Sequence, residues 1–395
     1  MIPRKCRTVL IGVALTVLLG CGSSGSSAPS GPSGPNVLAI TINPSSAAVC
    51  TFANELCTQV TICQPSTSNC QTITDVLVDT GSSGLRIFAS AVTVNLPSSD
   101  LGECMYFVSS TEWGSVHTVD VVLGGEPAVL VPIQVIDPTF AGQYTSTGQP
   151  QPASNICGVA VVDSSPSQAG FNGILGVGLF PFDSGFYYNC APLPCAPVTP
   201  SDSKQVQNPV GLLPVDNNGV IVALPSVPAS GSPSLTGSLI LGIGTQSNNQ
   251  PSGVTVLPTS SSGEIVTHFN RSPIVSTQEA GIIDSGSSVI FFSDSSLSIP
   301  LCPGILSFLY CPPSPLPFSA VNTGISGSPL SDVSFQIANP TPLLNLGNTA
   351  ISNIGGPTLF TGVFDWGLPF FFGRTVYVGL SGKTSVLGTG PFWAY

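Results

Sequence analysis

Two segments of this chain end an apolar run in the same way. Val76-Leu77-Val78-Asp79-Thr80-Gly81-Ser82-Ser83 recurs in the second half as Gly281-Ile282-Ile283-Asp284-Ser285-Gly286-Ser287-Ser288. A carboxylate at the tip of a buried strand, followed by a Gly that lets the backbone turn behind it, presents a charged group at the edge of a core. Ser82 and Ser287 are spaced to hydrogen-bond the outer oxygen of their own carboxylate, and Thr80 and Ser285 to bond backbone groups of the opposite loop. If the loops meet, Asp79 and Asp284 become neighbours. Two carboxylates in contact cannot both ionise cheaply, so the pair holds one proton between them. The ionised member then activates a water and the protonated member polarises a carbonyl, which hydrolyses an amide with no covalent intermediate, metal or cofactor. For one copy alone, a tight Asx-type turn is the ordinary reading; two matching copies favour a dyad.

Positioning two such loops takes strands. The text is short runs of Val, Ile, Thr and Phe cut by Gly, Pro, Asn and Ser, as in Val119-Asp120-Val121-Val122-Leu123-Gly124-Gly125 and Thr375-Val376-Tyr377-Val378-Gly379. Helical periodicity is scarce, with room for a turn or two at Leu85 to Val92 and around Leu306 to Tyr310. Thirty-eight prolines agree, because helix interiors exclude them. Residues 217–225 and 237–244 read as two strands joined by a Pro/Ser-rich loop. At 395 residues the chain is long enough for two lobes, one per loop. The expected division is 36–244 for the first and 245–395 for the second.

The N-terminus reads as a targeting signal over 1–20: Arg4, Lys5 and Arg7 precede the apolar stretch Val9 to Leu19. Leu18-Leu19-Gly20-Cys21 resembles a bacterial lipobox, which implies cleavage before Cys21, a lipid on its thiol and a protein held at the cell envelope. The rivals are an ordinary secretory signal or an uncleaved anchor. Residues 21–35, nearly all Gly, Ser and Pro, read as a flexible tether.

Charge narrows the partners. Removing the signal leaves five basic against 19 acidic residues, a formal charge of −14, which disfavours nucleic acid. The expected partners are a peptide or protein substrate and, through Cys21, a membrane; a monomer is expected. Ten further cysteines in an exported chain suggest disulfides, and short loops favour Cys50 with Cys57, Cys63 with Cys70, Cys190 with Cys195 and Cys302 with Cys311, leaving Cys104 for Cys157. Zinc is disfavoured by only two His and the lack of paired Cys-x-x-Cys units.

His117 and His268 read as ordinary hydrogen-bonded or solvent-facing residues, and no Gly-x-Ser-x-Gly elbow or phosphate-binding loop accompanies them. Phe364, Trp366 and Phe370-Phe371-Phe372 read as core packing under the second Asp loop, against a ligand platform. Asp120, Asp163, Asp183 and Asp332 have no partner copy and read as surface or capping groups.

At its two Asp loops the chain resembles the pepsin-like aspartic peptidases, in which a shared-proton Asp pair is an established property. Phe171-Asn172-Gly173-Ile174-Leu175-Gly176-Val177-Gly178 and Asp365-Trp366-Gly367-Leu368-Pro369-Phe370-Phe371-Phe372-Gly373-Arg374 look like the segments that thread beneath each catalytic loop. Gly237 to Gly244 resembles the strand at the lobe junction. The resemblance implies a mainly β, bilobal acid-peptidase fold with an inter-lobe cleft and Asp79 and Asp284 as its catalytic pair. The family's flap Tyr has no Tyr-Gly-x-Gly here; Tyr106 or Trp113 stands in the matching region, which leaves open a short, poorly closing flap. Together with the lipobox, Cys70-Gln71-Thr72-Ile73, Trp113-Gly114 and residues 367–374 look like a bacterial family called domain of unknown function 3443. The expected function is an aspartic-type endopeptidase. The alternative is a catalytically inactive protein that keeps the scaffold and binds.

Overall fold

The computed structural model describes residues 32–42, 49–141, 157, 162–272, 275–292 and 298–395. The signal, Cys21 and the tether as far as residue 31 lie outside the described residues. Within them the chain is mainly β, and most strands fall into two sheets.

The larger sheet runs, in hydrogen-bonded order, Ala196–Val198, Phe186–Asn189, Leu101–Tyr106, Thr111–Val122, Val129–Ile136, Ser83–Phe88, Gly173–Val177, Cys70–Asp79, Cys57–Cys63, Val37–Ile42, Leu235–Leu241, Gly219–Ala223, Thr375–Gly379, Phe392–Ala394 and Val256–Pro258. The second runs Leu330–Ile337, Leu316–Thr323, Ile265–Ser272, Val275–Ile283, Val363–Trp366, Ile290–Phe291 and Gly355–Gly356. Strands on both sides of residue 244 share the first sheet, because Thr375–Gly379 from the chain's end pairs with Gly219–Ala223.

One topology appears twice. Cys70–Asp79 pairs in parallel with Gly173–Val177, and the strand that leaves the first Asp loop, Ser83–Phe88, pairs with the other edge of Gly173–Val177 in antiparallel. In the second sheet Val275–Ile283 pairs in parallel with Val363–Trp366, and Ile290–Phe291 returns antiparallel to the same strand. Each Asp loop therefore straddles a strand from later in its own half. That doubled arrangement is what the resemblance to the pepsin-like peptidases implies. Both faces of these strands are buried, which is why Val76-Leu77-Val78 and Ile174-Leu175 are unbroken apolar runs.

Beneath the second loop, Phe269, Phe292, Phe364, Trp366, Phe370 and Phe371 are buried, with Phe292 and Phe364 stacked at 5.5 Å. Burying each ring contributes about 2 kcal/mol on an apolar transfer scale, so this cluster anchors the loop above it. The five disulfides form in the short-loop pairing, Cys104–Cys157 included. Leu85 to Phe88 is strand rather than helix, because every residue of Ser83–Phe88 is buried between two partner strands; a 3-10 turn follows at Ala89–Ala91. Near Leu306 a 3-10 turn at Gly304–Leu306 is followed by a turn closed by a bond from the Leu309 N–H to the Leu306 carbonyl.

Candidate active site

Each Asp sits where its strand runs out of ladder partners. The loops then cross-link. The Thr80 hydroxyl donates to the Ile283 carbonyl (3.0 Å) and accepts from the Ser285 N–H (2.9 Å). The Ser285 hydroxyl donates to the Val78 carbonyl (2.7 Å) and accepts from the Thr80 N–H (3.1 Å). These four buried bonds tie the end of each Asp strand to the opposite loop, and each hydroxyl uses both its donor and an acceptor site.

The carboxylates meet inside that grip. The Gly81 N–H reaches the inner oxygens of both, Asp79 Oδ1 at 2.7 Å and Asp284 Oδ1 at 3.2 Å. The Ser82 hydroxyl bonds Asp79 Oδ2, and the Ser287 hydroxyl bonds Asp284 Oδ2 at 2.8 Å. The Gly286 N–H adds a bond to Asp284 Oδ1 at 2.8 Å. Asp79 is buried and Asp284 half-buried. Burial, followed by the charge of Asp284 and a hydrogen bond to it, pushes the Asp79 carboxyl up to about 8 against the opposing bonds from Ser82 and Gly81.

The two loop glycines are there for close approach. A Cβ on Gly81 would lie 2.6 Å from Asp284 Cγ, and one on Gly286 would lie 2.8 Å from Asp79 Cγ. Asp284 is held by Ser287 and Gly286 and has little room to retreat. Gly81→Ala is therefore expected to part the carboxylates, so that any hydrolysis that depends on their contact falls about a hundredfold, the scale of a misplacement near 1 Å. Peptide hydrolysis assayed beside a melting curve checks this; an active, normally melting Gly81→Ala protein would show that the glycine is dispensable.

Of the other residues singled out, Tyr106 donates its hydroxyl to the Cys157 carbonyl and packs edge-on against Phe186. Trp113 is fully buried against Phe140 and Tyr188, and its indole N–H bonds the Phe140 carbonyl at 3.2 Å, so its large apolar body serves the hairpin's own core. The hairpin of Leu101–Tyr106 and Thr111–Val122 is closed by a bond from Phe107 N–H to the Ser110 carbonyl. His117 bonds Ser115 and the Pro97 carbonyl.

Three features escaped the sequence reading. Asp365 is a third carboxyl at the site, its Oδ2 lying 2.7 Å from Ser287 Oγ. Asn54, at a left-handed φ of 58° that Asn tolerates, donates to the carbonyls of Ser288 and Ile351 and accepts from the Ile351 N–H, tying the chain before the first Asp strand to the second loop. Finally, Asp163 and Asp183 are not surface groups. Asp163 is buried beside Glu112, and Asp183 pairs with Arg86, whose guanidinium also meets Glu103. Fully removed from water, Arg86 needs carboxylate partners, and the alternation of Ser83–Phe88 alone does not name them.

Several carboxyls are thus held out of water. Burial lifts Glu55 to about 8 against a bond from the Phe52 N–H, and lifts Glu112 and Asp365 well above the usual range. Unfolded, these groups titrate at about 4. Between about pH 4 and 8 the folded protein accordingly binds more protons than the unfolded chain, and stability falls as pH rises. A higher melting temperature at about pH 4.5 than at about pH 8 is expected; a rising profile would mean that these groups are ionised in the fold.

Comparison with curated proteins gives no match. Among solved structures, the crystal structure of aspartic proteinase from Irpex lacteus is similar, with a TM-score of 0.49 and 17% identity over 91% of this chain and 96% of that one. Residues 32–395 match the family described as Protein of unknown function (DUF3443), and the chain belongs to that family.

Proposed function

We propose that this protein is an aspartic-type endopeptidase. The observation that supports it most is the pair Asp79 and Asp284, whose inner oxygens share the Gly81 N–H while each outer oxygen is bonded by its own loop's Ser. Two carboxyls so placed hold one proton. The ionised member takes a proton from water as its oxygen attacks the peptide carbon, and the protonated member donates to the carbonyl oxygen. Collapse of the resulting tetrahedral diol breaks the C–N bond, with a proton passing to the leaving nitrogen. Because burial and Asp284 hold Asp79 up to about 8, the singly protonated pair persists to near-neutral pH. Cleavage that survives at about pH 7 and fails above about pH 8 is the corresponding expectation.

The substrate is an extended peptide, bound by strand-like backbone hydrogen bonds. The proposed setting is the bacterial cell envelope, with the protein lipid-anchored at Cys21, on the strength of the basic and apolar segment before Leu18-Leu19-Gly20-Cys21. The test is mass-spectrometric profiling of a diverse peptide library between about pH 3 and 8, with the body from Asn36 onward and its Asp79→Asn and Asp284→Asn variants. Cuts made only by the unmutated protein support the peptidase. A folded, disulfide-complete sample that makes none supports the inactive, binding alternative.

A further inference from the structure

The two halves of the site differ at one hydroxyl. Among the described residues Ser82 serves Asp79 as its one carboxylate, whereas Ser287 Oγ lies 2.8 Å from Asp284 Oδ2 and 2.7 Å from Asp365 Oδ2. Register locates the cause. Val78 faces Leu175 in the first half and Ile283 faces Trp366 in the second, so Asp365 occupies the place that Ile174 holds in the other copy. Ile174 is a core residue packed with Leu77, Phe88 and Phe171. The internal repeat has a carboxyl where its own counterpart has a hydrocarbon.

A hydroxyl has one hydrogen. Ser287 can donate to only one of the two carboxyl oxygens, so the other must be an acid that donates to Ser287. Asp284 is suited to be the acceptor: its Oδ1 takes N–H bonds from Gly286 and Gly81, which favour a charge. Asp365 is suited to be the acid. The residue is half-buried, its Oδ1 is shielded from solvent with no hydrogen-bond partner among the described residues, and the charged groups that act on it are Asp284 and, more weakly, Asp79, both of its own sign. An ionised carboxylate with an unpaired, buried oxygen is far more costly than a neutral acid in the same place.

We propose that Asp365 is a positioning residue, a permanently protonated third carboxyl that gives its hydrogen to Ser287 so that Ser287 gives its own to Asp284. In this chain Asp365→Ser287→Asp284, the hydroxyl is fixed as a donor to the outer oxygen of Asp284, and the dyad is polarised from the second half. No bond other than hydrogen bonds changes. The proposal rests on the peptidase reading for its consequence in catalysis, and on the geometry alone for the protonation of Asp365.

Two measurements separate these. The first is stability against pH for the wild-type protein and Asp365→Asn, whose amide keeps a neutral donor but cannot ionise. A carboxyl raised in the fold stabilises fully below its ordinary range and loses that contribution as pH rises through its folded value. Above about pH 4 the wild-type folding constant is therefore expected to fall by up to about tenfold per pH unit relative to Asp365→Asn. Parallel curves would overturn the proposal, and would do so even if no peptide were ever cleaved. The second is the pH profile of kcat/KM. Asp365→Ala is expected to lower kcat/KM about tenfold and to move the acid limb to higher pH, because Ser287 is no longer fixed as a donor to Asp284. Asp365→Asn is expected to recover part of the rate and to return the limb toward its original place. An Asp365→Ala limb that does not move would overturn the relay. Absence of cleavage by wild type would count against the peptidase reading, leaving the stability curves to decide the protonation.

Discussion

Asp79→Asn is expected to abolish peptide cleavage while raising the melting temperature at about pH 8. The Asn side chain has the shape of the Asp it replaces and still accepts the N–H bonds of Gly81 and Ser82 on its oxygen, while Ser82 turns its hydroxyl to accept from the new amide. What it cannot do is exchange a proton with water or with Asp284. A positioned acid or base is worth about 10²–10⁴ in rate. Since the pair works as a unit, a loss of about 10³ or more is expected for Asp79→Asn and likewise for Asp284→Asn.

Stability moves the other way for Asp79. Burial and the neighbouring Asp284 hold its carboxyl up to about 8, so the fold favours the neutral form and works against ionisation as pH rises. An amide is neutral at every pH. Asp79→Asn should gain stability over wild type progressively as pH rises from about 4 to about 8, and the difference should be smallest at about pH 4, where the folded carboxyl is neutral and the unfolded one only about half ionised. An inactive protein that melts higher cannot owe its inactivity to misfolding. If Asp79→Asn kept more than about a tenth of the wild-type rate, water activation by this pair would be excluded.

The pairing of the loops was legible because it is written twice, and because Thr80 and Ser285 carry hydroxyls at matching places. Close spacing also anticipated the disulfides. The remaining site residues were hidden for particular physical reasons. Asp365 lies between Phe364 and Trp366, which are both fully buried, and strand alternation puts it on the opposite face from them. A polar residue on the outer face of a strand ordinarily meets water; here the second Asp loop covers that face, which only the tertiary fold reveals. The aromatic alternation was the available signal, and the register against Ile174 would have sharpened it. Trp113 misleads in the converse way: an aromatic in the hairpin text looks like a flap residue, yet its strand turns it onto the Cys104–Cys157 disulfide. Asp183 is far from Arg86 in sequence, and long-range ion pairs leave no periodicity to read.

That buried ion cluster carries the largest effect expected on stability. Arg86 lies on the strand that leaves the first Asp loop, with no exposed side-chain surface, and bonds the Ser83 carbonyl (2.9 Å), Glu103 (3.2 Å) and Asp183. Asp183 is held in turn by the Tyr187 hydroxyl at 2.8 Å, and that hydroxyl accepts from the Val206 N–H. One cation therefore fastens the Asp-loop strand to the hairpin strand Leu101–Tyr106 and to the segment around Asp183. Arg86→Met keeps much of the apolar stem and removes the charge, leaving two carboxyls buried without their cation. Breaking a buried pair in this way costs about 3–5 kcal/mol. The deficit is expected to be largest at about pH 7 and to shrink at about pH 4, because carboxyls that have lost their cation can be relieved by protonation. Denaturant midpoints for wild type and Arg86→Met at both pH values check it. An equal deficit at the two pH values would assign the loss to packing of the stem, since only a charge imbalance can be titrated away. With the charge explanation upheld, the strand that leaves the first Asp loop is held by a buried cation, and Arg86→Met should lower any cleavage in step with the loosening of that strand.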